Sequence, residues 1–410
     1  MQILIISPWS NDWDIERVVG GPKIAVLING FAKSGIKVHL LIPAQKGFKS
    51  SNVPNVFIHP ISILTFPQLK LLAPIMRIIA YLSLNLSFIF YGLKLSKQYN
   101  FNLIYGLSSF LGLATYWLGR RLNRPTILKL LGIITLYPFK KYSPLHWLIY
   151  FDEIIAYKLQ VDKLIVVDDG TQGDKAAEYF NTPANRFVFE PHIVDKRLAN
   201  ASYPDKLEAE LGFKPDDYII LFNARLGPLK RLSTALREMK LVLEREPGAK
   251  LLIIGDGPTR NKDEKLAKKL GIWEDVKFVG SIKYIDMWQY YRIADVFLST
   301  NTYSNLCLPT VEAMLSGVPV VTLDRRDTHK LIKNGVTGLL INPNLSSLHR
   351  AIADAICLLL KETSLRSKII DNSQKYILSN IPDWADGIEF ELRLIKSVIK
   401  CRGEPVCLPK

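Results

Sequence analysis

Apolar residues along this chain fall into short unbroken runs separated by longer stretches with a helical period. The first run, Gln2–Ser7, is too short for a helix and fits a strand buried on both faces. A loop with Gly20-Gly21-Pro22-Lys23 and a helix through Ala32 follow. Runs at Val38–Ile42, Leu103–Tyr105, Thr126–Leu130, Leu164–Val167 and Phe187–Phe189 predict further strands. The second half repeats the pattern at Ile219–Asn223, Lys250–Ile254, Val276–Val279, Val296–Ser299 and Val318–Thr322, with helical segments between them. Strand–helix alternation of this kind predicts parallel sheets with helices on both faces. Pro, Lys and Glu gather in Ala199–Asp217, which reads as the joint between two doubly wound α/β domains. A length of 410 residues accommodates both cores.

One segment breaks the pattern. Leu69–Leu95 is apolar and aromatic, and its uncharged stretch Ile78–Leu93 is 16 residues long. A spanning helix needs about 20 apolar residues, so this one is expected not to cross a membrane. It reads either as a buried domain helix or as a helix in the membrane interface.

Charge sharpens the second possibility. The net charge is +15 and unevenly placed. Residues 17–151 hold 16 Lys plus Arg and no Asp or Glu, whereas residues 161–410 hold 36 basic and 33 acidic residues. A basic body attracts nucleic acid or an anionic membrane. The cations are scattered among apolar runs with no nucleic-acid-binding signature, which selects the membrane and excludes nucleic acid as the expected partner. The four cysteines, at 307, 357, 401 and 407, form no C-x-x-C pair and no metal-ligand spacing, as in a reduced cytoplasmic protein. No charged and apolar leader precedes the first strand, so no secretory signal is expected.

Candidate chemistry lies in the second half. Arg225 and Lys230 flank a turn after the strand ending at Asn223, and Glu312 lies in a helix after Ser304-Asn305-Leu306. Two cations and a carboxylate at the carboxyl ends of strands suit a ligand with a diphosphate and a ribose, such as a nucleotide-sugar. Guanidinium and ammonium groups stabilise a leaving diphosphate as it gains charge, and a carboxylate accepts hydrogen bonds from ribose hydroxyls. Asp12-Trp13-Asp14 is a formal D-x-D metal motif, but its place near the chain start reads as a solvated loop, and no metal site is expected. His192 reads as structural. No G-x-G-x-x-G follows the first strand, which argues against a dinucleotide oxidoreductase.

The run Phe222–Arg231 resembles the donor-phosphate loop of the retaining glycosyltransferases of family 4, the glycosyl transferases group 1. Leu252–Pro258, Val276–Gly280, Ala294–Leu298, the Glu312 helix, Gly317–Val321 and Asn334–Leu340 are similar to that family's following segments, so the likeness is dense over 218–343. It is thinner in the first half, at Gly20-Gly21 and at Ile193-Val194-Asp195. The resemblance implies a GT-B fold, two Rossmann-like domains facing a cleft. Residues 1–198 would bind the acceptor, joined by a returning C-terminal helix, 384–410, and residues 206–383 would bind the donor. It implies Arg225, Lys230 and Glu312 as catalytic groups. Gly20, Gly21, Ser304, Asn305 and Leu306 join these three in holding the donor, a UDP- or GDP-sugar, with no cofactor. It implies transfer with retention; the acid-free basic region with its apolar segment adds the expectation of a glycan or lipid-linked acceptor and of a peripheral enzyme on the cytoplasmic face of the membrane. It names no acceptor-binding residue.

Departures from the family pattern keep rivals open. Ser304 stands where the family commonly has a Glu that touches the transferred sugar, Leu131 where it often has His, and Lys330 where it often has Glu. A sugar-nucleotide epimerase of the same fold, or a catalytically silent partner subunit, would share the remaining motifs.

Overall fold

A computed structural model describes residues 1–9, 18, 22–44, 53–64, 73–133 and 144–403. They form two compact units. The first takes the described residues of Met1–Ile15, Lys23–Pro191 and Ala385–Lys410, and the second those of Glu16–Pro22 and His192–Trp384. The chain thus leaves the first unit after Pro191, ahead of the polar stretch Ala199–Asp217. Val194 pairs with Asp383, and Val194 and Leu198 are buried in the second unit's core.

The first unit is built on seven strands: β1 (Gln2–Ile6), β2 (Lys37–Pro43), β3 (Val56–Ile61), β4 (Leu103–Leu107), β5 (Thr126–Leu130), β6 (Lys163–Val167) and β7 (Phe187–Glu190). All pairings are parallel, in the order β3-β2-β1-β4-β5-β6-β7. Strand alternation divides β1 between two cores. Ile3 and Ile5 pack with the helix Lys23–Lys33, and Leu4 and Ile6 with the helices Ala73–Ser96 and Gly112–Leu122. The second unit holds β8 (Tyr218–Asn223), β9 (Ala249–Ile254), β10 (Val276–Gly280), β11 (Val296–Ser299), β12 (Val320–Leu323) and β13 (Leu339–Ile341). Its parallel order is β10-β9-β8-β11-β12-β13. Each unit is a doubly wound Rossmann-like domain.

Two strands escape the apolar-run reading, and both are edge strands. β3 carries Pro60, which cannot donate to a ladder and is tolerated at an edge, and β13 is too short to show a period.

The last helix, Trp384–Gly403, seats Ile395 and Val398 in the first unit's core. A buried ionic cluster fixes it there. Lys129 in β5 is fully buried, with its Nζ 2.7 Å from Glu190 Oε2 and bonded to Glu391 Oε1 on the helix. Tyr105 donates to Glu391 Oε2 at 2.7 Å, and Lys23 donates to Glu190 Oε2 at 2.6 Å. Burial and the nearby Lys129 charge push Lys23 down to about 8. Three cations of the acid-free 17–151 region are therefore neutralised by later acids: Lys23, Lys129 and Arg77, the last paired with Asp152 at 3.0 Å.

The apolar segment is neither wholly buried nor detached. The helix Ala73–Ser96 buries Tyr81, Asn85 and Phe88 in the domain. Asn85 donates to Phe110 O and accepts from Ala114 N, each at 2.8 Å. Ile75, Ile79, Leu82, Leu86 and Phe90 form an exposed stripe along its other side. By length and composition, Ile75–Ser96 could cross a membrane, but one face is committed to the protein.

Candidate functional site

In the second unit β8 and β11 are neighbours, and successive strands run outward from them in opposite directions. The connections that leave their carboxyl ends diverge, which opens a crevice at that point of a doubly wound sheet. A cavity of about 430 Å³ lies there, lined by Asn223, Arg225, Lys230, Tyr284, Ser299 and Glu312 among others. Its size is that of a small-ligand site.

The loop after β8 is fixed by backbone bonds. Ala224 N donates to Ile254 O at 3.1 Å and Leu226 N to Asp256 O at 2.9 Å, while the Leu226 side chain is buried. Gly255, at φ 119°, lies directly beneath it, and a Cβ there would stand 2.0 Å from Ala224 O. Only glycine permits that approach. Lys230 N closes a turn onto Gly227 O at 3.0 Å, and Thr300 Oγ1 donates to Lys230 O at 2.9 Å. The backbone carrying Arg225 and Lys230 is thus tied to both neighbouring strand ends. Among the described residues neither side chain has an ion-pair or hydrogen-bond partner, so both cations are available to an anion.

Glu312 comes from the helix Leu308–Leu315, which starts with Pro309 in its first turn, where the missing N–H costs nothing. Only 3% of Glu312 is exposed. Tyr291, fully buried, donates to Glu312 Oε2 at 2.8 Å and accepts from Asn223 Nδ2 at 3.0 Å. The Tyr284 hydroxyl also acts on this carboxylate. Burial drives Glu312 up to about 7, against the pull of the Tyr284 and Tyr291 hydroxyls.

The residues leading into this helix face inward. Asn305 is fully buried: Ser299 donates to its Oδ1 at 2.6 Å, and its Nδ2 donates to Leu323 O at 3.0 Å. Its backbone N–H goes to Thr328 Oγ1 at 3.0 Å, and that of Leu306 to Ser304 Oγ at 3.1 Å. Asn305 and Leu306 thus have their backbone donors engaged behind the cavity, with Ser304 Oγ accepting one of them, while Cys307, Leu308 and Pro309 line it. His192 Nε2 lies 3.3 Å from Leu306 O. Gly20, Gly21, Asp12 and Asp14 lie outside the described residues. Tyr284, Tyr291 and Asn223 were not singled out by sequence reasoning. A tyrosine pair before β11, Tyr290-Tyr291, is the one signal the sequence offers for the middle of that set.

The comparisons agree with this architecture. Residues 205–376 match the family of glycosyl transferases group 1. It is 26% identical over 272 residues to an alpha-monoglucosyldiacylglycerol synthase of Streptococcus pneumoniae, covering 60% of this chain and 57% of that one. The chain spans about half the length of the curated relatives it matches. The fold is similar to that of sucrose-phosphate synthase from Thermosynechococcus elongatus, with TM-score 0.77 and 18% identity over 98% of this chain and 99% of that one. It is also similar to Anabaena HepE in complex with UDP-glucose, with TM-score 0.73 and 18% identity over 97% and 99%. The fold is GT-B.

Proposed function

We propose that this chain is a glycosyltransferase that moves a sugar from a nucleotide-sugar onto an acceptor with retention of configuration. The observation that carries the reading is the cavity at the β8/β11 switch point, where two unpartnered cations and a buried carboxylate converge. Arg225 and Lys230 take the donor diphosphate, and Glu312 Oε1 takes a ribose hydroxyl. UDP-glucose in HepE and the family match support a UDP- or GDP-sugar as donor.

The reaction balances without an enzyme nucleophile. The bond from the anomeric carbon to the diphosphate breaks, and its electron pair leaves with the phosphate. The acceptor oxygen attacks from the same face, and its proton passes to the departing phosphate oxygen. Arg225 and Lys230 meet the charge that grows on that phosphate, so they act more strongly in the transition state than in the ground state.

The acceptor is a lipid or lipid-linked glycan at an anionic membrane on the cytoplasmic side. The apolar stripe Ile75–Phe90 supports this, together with exposed Trp117 and the neighbouring cations Lys94, Lys97, Arg120 and Arg121. The similarity to a synthase named for a diacylglycerol product points the same way.

The test is mass spectrometry of products from a panel of UDP- and GDP-sugars supplied with membrane extract. A new glycosylated lipid plus free nucleoside diphosphate is expected. An epimerised nucleotide-sugar with no new glycoside would replace this reading by an isomerase, and donor binding without turnover by a silent partner subunit.

A further inference from the structure

Beyond Arg225 and Lys230, two more guanidinium groups stand at strand ends of the second unit. Arg231 follows Lys230 and precedes the helix Leu232–Leu243, and Arg325 comes two residues after β12. Among the described residues neither side chain is ion-paired, and the buried Nε of Arg325 has no hydrogen-bond partner. Burial, and after it the Arg231 charge, pulls Arg325 below its ordinary value. Glu238 also feels Arg231, but it is fully buried on the same helix, with His349 Nδ1 3.4 Å away. Like charges held near one another without a counter-ion repel, and a bound anion relieves that repulsion.

The backbones of both arginines are fixed relative to the donor cavity. Arg231 holds φ 51°, a left-handed conformation whose usual occupant is glycine, and Arg326 beside Arg325 does the same. Residues of this kind persist only where their surroundings hold them, and they cluster at ligand clamps. Here the holding segment is 300–305. Thr300 Oγ1 donates to Arg231 O at 3.1 Å. Asn305 N donates to Thr328 Oγ1 at 3.0 Å, and that hydroxyl donates to Arg325 O at 2.6 Å. Asn301, in the same segment, lines the cavity and donates to Ser304 O at 2.7 Å. A segment that contributes to the cavity wall thus braces both arginines.

The charge at this end suits an anionic sugar. Carboxylates only accept hydrogen bonds, so they read the hydroxyls of a neutral sugar and repel an acidic one. Ser304 stands where the family commonly has a Glu that touches the transferred sugar, and Lys330, in the helix Thr328–Leu331, where it often has Glu. Two acids of the family pattern are gone, and two guanidinium groups without acid partners are present. A guanidinium is a planar fork that matches a carboxylate.

We propose that Arg231 and Arg325 are specificity-determining residues that receive a carboxylate on the transferred sugar, so that the donor is a nucleotide-activated uronic acid rather than a neutral hexose. This rests on the donor reading of the cavity and names the class of sugar within it. Arg225 and Lys230 remain the cations of the diphosphate.

The test uses matched donors that differ only in oxidation at C6: UDP-glucose against UDP-glucuronic acid, and GDP-mannose against GDP-mannuronic acid, with free UDP and GDP as references. Binding to wild type, Arg325→Gln and Arg231→Gly is measured by calorimetry, with a thermal melt to show that each variant is folded. Glycine suits the left-handed position, so Arg231→Gly removes the charge without straining the backbone. Wild type should bind the uronic acid of one pair at least about tenfold more tightly than its neutral twin, the scale of one charged hydrogen bond. Each variant should weaken the uronic donor by about tenfold and leave the neutral donor and the free nucleotide unchanged. Wild-type protein that binds the neutral donor as tightly as the uronic one in both pairs overturns the proposal. So does a folded variant that keeps the full preference, and so does equal weakening of uronic donor, neutral donor and free nucleotide, the mark of cations that serve only the diphosphate. Wild-type protein that binds neither UDP nor GDP overturns the donor reading and this proposal with it, whereas binding of free nucleotide without a uronic preference overturns this proposal alone.

Discussion

Glu312→Gln should make the protein less able to bind donor and more stable at alkaline pH. Burial holds the folded-state carboxyl at about 7, against an ordinary value of 4.5. Below 4.5 both folded and unfolded chains carry the proton, and the side chain's contribution is full. As pH rises past 4.5 the unfolded chain releases its proton while the folded chain keeps it until about 7. The folded state binds more protons over that window, so stability falls across it and levels off above it. The separation of about 2.5 units corresponds to about 3 kcal/mol at 1.36 kcal/mol per unit. For a domain of this size that is roughly 6–12 °C of melting temperature. Glutamine does not titrate, so the difference between the two proteins isolates this one group. The assay is thermal or urea unfolding of both proteins at steps from pH 5 to 8.5. Wild type should lose stability relative to Glu312→Gln up to about pH 7, with a constant gap beyond. Parallel profiles for the two proteins would refute the account of a carboxyl raised by burial.

Three further outcomes follow from the structure. Lys129→Met leaves Glu190 and Glu391 buried without their shared cation and should cost about 3–5 kcal/mol in urea unfolding; a change under 1 kcal/mol would show that the cluster does not hold the last helix. EDTA should leave transfer intact, because side chains supply the positive charge at the diphosphate; loss of activity restored by magnesium or manganese would bring Asp12 and Asp14 back as ligands. Leu86→Glu with Phe90→Glu, both on the exposed stripe, should abolish sedimentation with anionic vesicles while leaving donor binding unchanged. Wild-type binding that also weakens as salt rises is expected there, since each Lys or Arg near an anionic surface contributes about 1 kcal/mol. Vesicle binding retained by the double variant would move the membrane contact to another face, and no binding by wild type would leave a soluble acceptor.

The doubly wound architecture was readable because strands buried on both faces are written as unbroken apolar runs. Thr126–Leu130 and Val296–Ser299 were placed to the residue. Where the run is shortened or interrupted at a sheet edge, as in Leu339–Ile341 and around Pro60, the signal vanishes. That Arg225, Lys230 and Glu312 would meet around one cavity was legible because charge at a strand end has few structural uses. The inward turn of Asn305 was not, since nothing in a Ser-Asn-Leu triplet tells which donors the fold will consume. The Lys129 cluster was illegible for a different reason. Its partners come from Glu190 and Glu391, far along the chain, and only folding brings opposite charges together.

The central claim is that the cavity beside β8 and β11 binds a nucleoside diphosphate through Arg225 and Lys230. Calorimetric titration of UDP and GDP into wild type and into the double variant Arg225→Ala, Lys230→Ala tests it most directly. Each charged contact is worth about 1.5–3 kcal/mol, so the pair together should weaken binding by about a hundredfold or more without lowering the melting temperature of the free protein. Affinity that survives loss of both cations, or wild-type protein that binds neither nucleotide, would contradict the account.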